Sequence, residues 1–535
     1  MVGKSLLVLA AFFCAFVPLC ADEVDDVVAG SRRTLGQRAE RAEVCLQRQA
    51  TWRIVGLSYT YTSIEDLTDL ELDRIATLRA LDTLCLTGRW CLLDERSRLS
   101  AGALRKLGPL HIRRMVFPCR MSEAQMNAVC SLADLEELDV PVDYAVDKET
   151  KGEGLIYLGR LRNLRRLDLS NVGLSDASLE HLRPLRSLEE LNLRGNRRIT
   201  DAGIARLKGF DSLRSLVVDR VDAAGLSALK DVPRLEELNV TTYDPGQGKA
   251  DLSVLRGLRR LRVYNVSSAL PGDLRLPEGL RLLELPYRTV GTLDLKTAGR
   301  IERVGLGLES YDVRRRRAKD LTWLGSLPAL RDLMLTDALD SDVRAVASLA
   351  SLRSLSVVPP CPVPLGKEAM KAIAGLQHLE SLEVQGNGWT AGIIRNGETV
   401  GDEDMAALRQ LSKLRHLDLR GFPEVSPKGL EFVWDLKELR TLTLDLSAEI
   451  IADSTAAVLG HVESLSKLEE LCLQGTVTDV ALNKLAAVKK LRRLDLTSAE
   501  GYTDAGLASL MRTLPELETL KFTIKKNLRS GQTKN

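Results

Sequence analysis

"LRGNRRITDAGIARL", residues 193–207, holds the reading of the whole chain. Leu193 ends a Leu-x-x-Leu-x-Leu run; Asn196 follows, then a Thr-Asp step, then apolar residues at helical spacing. Set in register on Leu-x-x-Leu-x-Leu, the first half recurs nearly end to end. "LEELDV" begins at 135, "LRRLDL" at 164, "LEELNL" at 188, "LRSLVV" at 213, "LESLEV" at 379 and "LRHLDL" at 414. Sixteen clear copies and three looser ones ("IVGLSY" at 54, "IRRMVF" at 112, "IERVGL" at 301) make 19, usually spaced in the low to middle twenties. Recurrence on this scale is the signature of a repeat array rather than of one strand-to-helix turn.

The unit follows from its spacing. Leu at the fourth and sixth positions points inward from a short strand, while the residues between face out. One such strand cannot bury its inner side, so stacked parallel neighbours make a continuous core. The second half of many units reads as helix: "LSDASLEHL" (174), "ITDAGIARL" (199), "VTDVALNKL" (477) and "YTDAGLASL" (502). Asp201 is expected to cap its helix through the carboxylate, with Ile204 and Leu207 on one face. Gly203 is a poor helix former, so its place implies close packing against the adjacent unit. Pro184, Pro233, Pro328 and Pro515 stand where the helix must stop before the next strand.

On these motifs the chain resembles leucine-rich repeat proteins over residues 54–524. Its "TDAGL" units resemble ribonuclease-inhibitor-like, F-box-associated and secreted bacterial repeats. The resemblance implies an α/β solenoid: a horseshoe with a continuous parallel β-sheet on the concave face and helices or extended segments on the convex face. It says little about function. The family's ninth-position Asn is Asn196; other units carry Val172, Thr476 or Ala499, so the inner hydrogen-bond ladder is expected to be incomplete. Units between 245 and 310 are short and lack the "TDAGL" half, and "LPEGLRLLEL" implies an extended outer side there.

Residues 1–21 read as a signal peptide. Lys4 precedes the apolar run "SLLVLAAFFCAFVPLCA", short for a membrane span and fitting a leader core. Cleavage is expected after Ala21, leaving no membrane span in the mature chain; a lipid anchor on Cys20 is disfavoured by Leu19. Residues 22–53 read as a capping helix and 525–535 as a polar basic tail. Nine cysteines occur, and Cys45, Cys85, Cys91, Cys119 and Cys130 fall within the first 130 residues. In an exported chain they are either a disulfide-stapled cap or buried thiols. Net charge of +2 and 4% aromatics provide neither a basic field nor stacking surfaces for nucleic acid.

Catalytic chemistry is hard to find. The five histidines never pair at metal-ligand spacing, and no His-Glu-x-x-His, phosphate loop or nucleophile elbow occurs. No cofactor, metal or catalytic residue is expected. The outward positions carry more. "LRR", "LEE", "LRS", "LEE" and "LRR" alternate from 164 to 258, so Arg165 and Arg166 face Glu189 and Glu190, an ion-pair ladder. The fifth-position row leans acidic: Asp139, Asp168, Glu284, Glu383, Asp418 and Asp495 against Arg262 and Lys521. An insertion, 386–404, brings Trp389, Ile393 and Ile394 beside it. Asp139, Asp168, Arg262, Glu284, Glu383, Trp389, Asp418 and Asp495 are thus candidate contacts for a basic protein partner. Asn239 and Asn265 head glycan-acceptor triplets, and "RRRR" (314–317) reads as a solvated loop.

The leading expectation is a non-catalytic exported scaffold, secreted or at the cell surface, that recognises a protein through its concave face. The alternatives are an intracellular adaptor, akin to ubiquitin-ligase substrate receptors or cyclase regulators, and an exported enzyme with a site assembled from several repeats.

Overall fold

The computed structural model describes residues 39–48, 52–61, 72, 76, 81–88, 100–117, 121–140, 154–243, 252–266, 274–286, 293–294, 298–307, 321–360, 363, 365–386, 400–447 and 455–525. Nearly every strand belongs to one 21-stranded sheet. Its parallel part climbs unit by unit from Trp52–Tyr61 to Thr519–Lys525. In register, Leu138, Leu167, Leu191, Leu216, Leu238, Leu261 and Leu283 stand side by side. All seven are buried, and they form part of one core that runs the length of the solenoid. The fold is the expected horseshoe, with strands on the concave face and short helical segments outside.

The far side of each unit is helical where the "TDAGL" pattern predicts it, though often as tight 3₁₀ turns. Asp201–Ala205 and Asp479–Leu485 are α-helices, whereas Asp176–Leu182 is 3₁₀. Ile204 and Leu207 are both buried. Pro184, Pro233, Pro328 and Pro515 each follow the end of such a segment. In the short units the outer side is extended, as expected: Leu274–Arg275 pairs with Leu293–Asp294 in a separate two-stranded parallel sheet.

The cap of the outer helix differs from the expectation. Thr200, not Asp201, is the N-cap, and its hydroxyl accepts from the Ala202 amide at 3.3 Å. Asp201 is the first helical residue, and it reaches the next unit, accepting from the Asp222 amide at 3.4 Å. The same placement recurs around the array. Asp176 accepts from the Thr200 amide and hydroxyl, both at 2.7 Å. Asp402 accepts from the Ser426 amide at 2.8 Å, Asp479 from the Thr503 amide at 2.7 Å, and Asp340 from the Gly366 amide at 2.9 Å. Each carboxylate thus satisfies a helix-start amide that would otherwise lack an acceptor, one unit further on. The glycines follow from this. A Cβ on Gly203, Gly225 or Gly506 would stand 2.1, 2.1 or 2.0 Å from the preceding unit's Asp oxygen, so the packing expected at Gly203 has a named neighbour.

Asn196 supplies the one rung the ninth position predicts. Only 1% exposed, it accepts from the Leu174 amide at 2.9 Å and donates to the Leu169 and Leu193 carbonyls at 2.8 Å.

The capping helix expected over 22–53 is corrected where that segment is described. Ala39–Arg48 is a β-strand, antiparallel both to Trp52–Tyr61 and to the last strand, Thr519–Lys525. Its Ala, Glu and Arg content favours a helix, but a parallel sheet ends in two open edges, and one strand laid between them completes both ladders. Among the described residues the two ends of the parallel run pair with each other nowhere. The leader at 1–21, the arginine run at 314–317, the basic tail beyond 525 and most of the insertion after Gly386 lie outside the described residues.

Candidate functional site

The fifth positions line up along the concave face in the expected register. Val116, Asp139, Asp168, Asn192, Val217, Asn239, Arg262 and Glu284 follow one another on successive strands. Gly305 and Met334 interrupt the charge, then come Ser356, Glu383, Asp418, Thr443, Cys472, Asp495 and Lys521. The structure therefore brings all the candidate residues except Trp389 into one row, and Trp389 lies outside the described residues.

The row is not uniformly acidic once its neighbours are included. Arg420 binds Asp418 at 2.7 Å and Glu383 at 3.1 Å, so one guanidinium serves both carboxylates. Burial pushes the Asp418 carboxyl up from its usual range, and Arg420 pulls it back. Arg262 pairs with Glu284 at 2.8 Å and with Glu237. Lys521 stands 4.0 Å from Asp495. Arg420 and Glu237 escaped the sequence reading, yet each sits two residues from a fifth position and so shares its face.

Beside this row runs the charge ladder. Arg165–Glu189 closes at 2.7 Å, Arg166–Glu190 at 3.0 Å, Arg214–Glu236 at 2.6 Å and Arg440–Glu469 at 2.7 Å. These pairs are mostly half-exposed, and each contributes little to stability. Their main consequence is to hold long side chains upright along a rigid floor.

Where the ladder and the fifth row meet, units 135 to 260 enclose a cavity of about 380 Å³. Its floor comprises Asp139, Asp168, Asn192, Val217 and Asn239, and its walls include Arg166, Glu190, Arg214, Glu237 and Arg260. Asp168 accepts from Asn192 Nδ2 and from the Ser170 amide, both at 2.8 Å. Burial raises the Asp139 carboxyl above the usual carboxylate range; Arg114, at 3.5 Å, opposes this and the nearby Asp168 adds to it. Asn239, met in the sequence as the head of a glycan-acceptor triplet, lies on this floor and is 8% exposed.

Cys130 is buried with a free thiol, pushed up to about 12 by burial, and Cys472 is likewise raised to about 11. Cys130 is therefore a core thiol rather than a staple. Among the described residues no group of His, Cys, Asp and Glu is placed to hold a metal ion, and no helix is long and apolar enough to cross a membrane.

A family profile described as "Leucine Rich repeat" matches residues 185–207, the unit that holds Leu191 and Asn196. That unit's strand and outer helical turn are the pattern the register repeats around the sheet, while its buried Asn196 is particular to it. The chain is a leucine-rich repeat protein. A search of curated protein sequences finds no match to this repeat protein. Among solved structures it is similar to an internalin of Listeria monocytogenes at 15% identity, covering 83% of this chain and 87% of that one, with a TM-score of 0.28. It is similar to a leucine-rich repeat protein of Leptospira interrogans at 14% identity, covering 74% and 80%, with a TM-score of 0.25. A third is yeast Rad7, solved in complex with Elc1, at 16% identity, 66% and 85% coverage and a TM-score of 0.38.

Proposed function

We propose that this leucine-rich repeat protein is an exported, non-catalytic scaffold that recognises a protein partner through its concave face. The observation that carries the reading is the fifth-position row. Side chains that stacking does not require are displayed there at strand spacing on a backing too rigid to rearrange. The outer helices, by contrast, spend their polar groups on the next unit, as the Asp176–Thr200 contacts illustrate. Export rests on the leader-like run before Asp22.

Asp139, Asp168, Arg262, Glu284, Glu383, Asp418 and Asp495 are the proposed contacts, with Trp389 as an aromatic anchor near the units at 379 and 414. Anchors of this type dominate interface energy, while rim charges tune the association rate. Capture of a partner from extracellular or envelope extract tests the reading. Ser356→Arg, on the concave row, should abolish capture, whereas Glu403→Arg, on the outer helix Asp402–Ala406, should leave it intact. The reverse pattern would place binding on the convex side. Recovery of chain still carrying Met1 from cytosol would remove export from the proposal.

A further inference from the structure

The cavity across units 135 to 260 is chemically one-sided. Its lining carries six carboxylates against three guanidiniums. The four glutamates all have guanidinium partners within 3.2 Å. The two aspartates on the floor do not. Asp139 has its arginine only at 3.5 Å, and Asp168 takes its hydrogen bonds from neutral donors. They stand opposite each other on adjacent strands, about 4.8 Å apart in backbone spacing, as like charges.

A second observation, three strands along the same floor, points the same way. Asn239 is 8% exposed, and its Oδ1 meets no hydrogen-bond donor among the described residues, while its Nδ2 is turned to Glu237. A buried carbonyl without a donor is costly, and it sits here as an acceptor at one end of a floor whose other end is two carboxylates. Asn192, the donor between them, is committed to Asp168. The floor therefore asks for N–H donors carrying positive charge. Its two carboxylates repel an anion, and its polar lining does not suit an apolar group.

We infer that this concavity is a recognition pocket for a basic, extended segment of a protein partner. An arginine or lysine lies between Asp139 and Asp168, and a second donor side chain meets Asn239. The inference rests on the scaffold reading above and adds the place and the chemistry. From Asp168 to Asn239 is three strand spacings, about 14 Å, which an extended chain at about 3.3 Å per residue covers in about four residues. Two basic residues four apart are the pattern that fits.

The probe is the acetylated, amidated peptide Arg-Ala-Ala-Ala-Arg, titrated into the full chain by calorimetry, with Gln-Ala-Ala-Ala-Gln as control. We expect saturable 1:1 binding of the first peptide only. The double variant Asp139→Asn, Asp168→Asn should weaken it by roughly tenfold or more, the loss expected for charge-assisted hydrogen bonds. Asp139→Lys, which brings its own cation, should abolish binding, Asn239→Leu should weaken it, and Glu403→Gln on the outer side should not change it. Thermal melts check that each variant is folded. Absence of binding, equal affinity for the double variant, or an equal loss with Glu403→Gln would overturn the pocket. A captured protein partner that Ser356→Arg loses but the double aspartate variant retains would also overturn it, while leaving the scaffold reading in place.

Discussion

The contacts between units make a graded prediction about three glycines of the outer side. In a helical segment Gly→Ala ordinarily stabilises by about 0.5–1 kcal/mol, because alanine loses less backbone entropy on folding. Gly460 should follow that rule, since a Cβ there meets nothing within 4 Å. At Gly203 the added carbon would stand 2.1 Å from Asp176 Oδ1 and 2.9 Å from its Cγ. The carboxylate can rotate away, at the loss of one or both of its 2.7 Å bonds to Thr200. The unit at 366 shows that an alanine can be accommodated, since Ala369 takes the glycine's place and Asp340 still accepts from the Gly366 amide at 2.9 Å. Loss and gain then nearly cancel, and the net change should lie within about 1 kcal/mol. At Gly429 rotation does not suffice, because the carbon would lie 2.9 Å from Asp402 Cα as well as 2.8 Å from Val425 Cγ1. Neighbouring backbones must separate, breaking the Asp402–Ser426 bonds at 2.8 and 2.5 Å. The expected cost is about 2–4 kcal/mol after the entropic gain is subtracted. Urea unfolding of the three variants measures the series: Gly460→Ala up, Gly203→Ala near parental, Gly429→Ala well down, with slopes unchanged. A Gly429→Ala protein as stable as Gly460→Ala would refute the idea that carboxylate contacts between units dictate these glycines.

Two further outcomes follow from the same packing. Leu191→Ala should destabilise by about 2–5 kcal/mol, since Leu191 is 1% exposed between stacked leucines; Glu190→Ala should cost under about 1 kcal/mol, and equal losses would contradict the inward and outward assignment. Asp139→Asn should raise the melting temperature at neutral pH, because burial lifts the folded carboxyl's pKa above its unfolded value. Wild type is relatively favoured below the ordinary carboxylate range and loses that as pH rises through the raised folded midpoint. The gap between variant and parent should therefore open with rising pH, and a gap that closes instead would reverse the sign.

Much of the fold was legible because each unit repeats one local instruction. Leu at positions four and six could serve only a strand buried on one side, and the outer "TDAGL" spacing could serve only a short helical turn. The fifth-position row was legible for the same reason, since a strand's alternation places Asp139, Asp168 and Asp418 on one face whatever lies next to them. Partners two residues along, such as Arg420, were available to the same rule but carry meaning only once neighbouring strands set their distances.

The sequence by itself thus determined the unit, its register and the side on which each residue stands, because those depend on periods of two and about three and a half residues within one copy. Tertiary structure decided whatever depends on a residue twenty or more positions away. It made Asp176 the partner of Thr200 rather than its own helix's cap, and it drew Ala39–Arg48 out of its helical preference to lie across both sheet edges. It also placed Asn239, an apparent surface acceptor, on the floor of a cavity with its Oδ1 lacking a donor among the described residues. In each case the deciding energy comes from a backbone edge, an amide or a carboxylate supplied by a different unit, and no reading of one unit alone contains it.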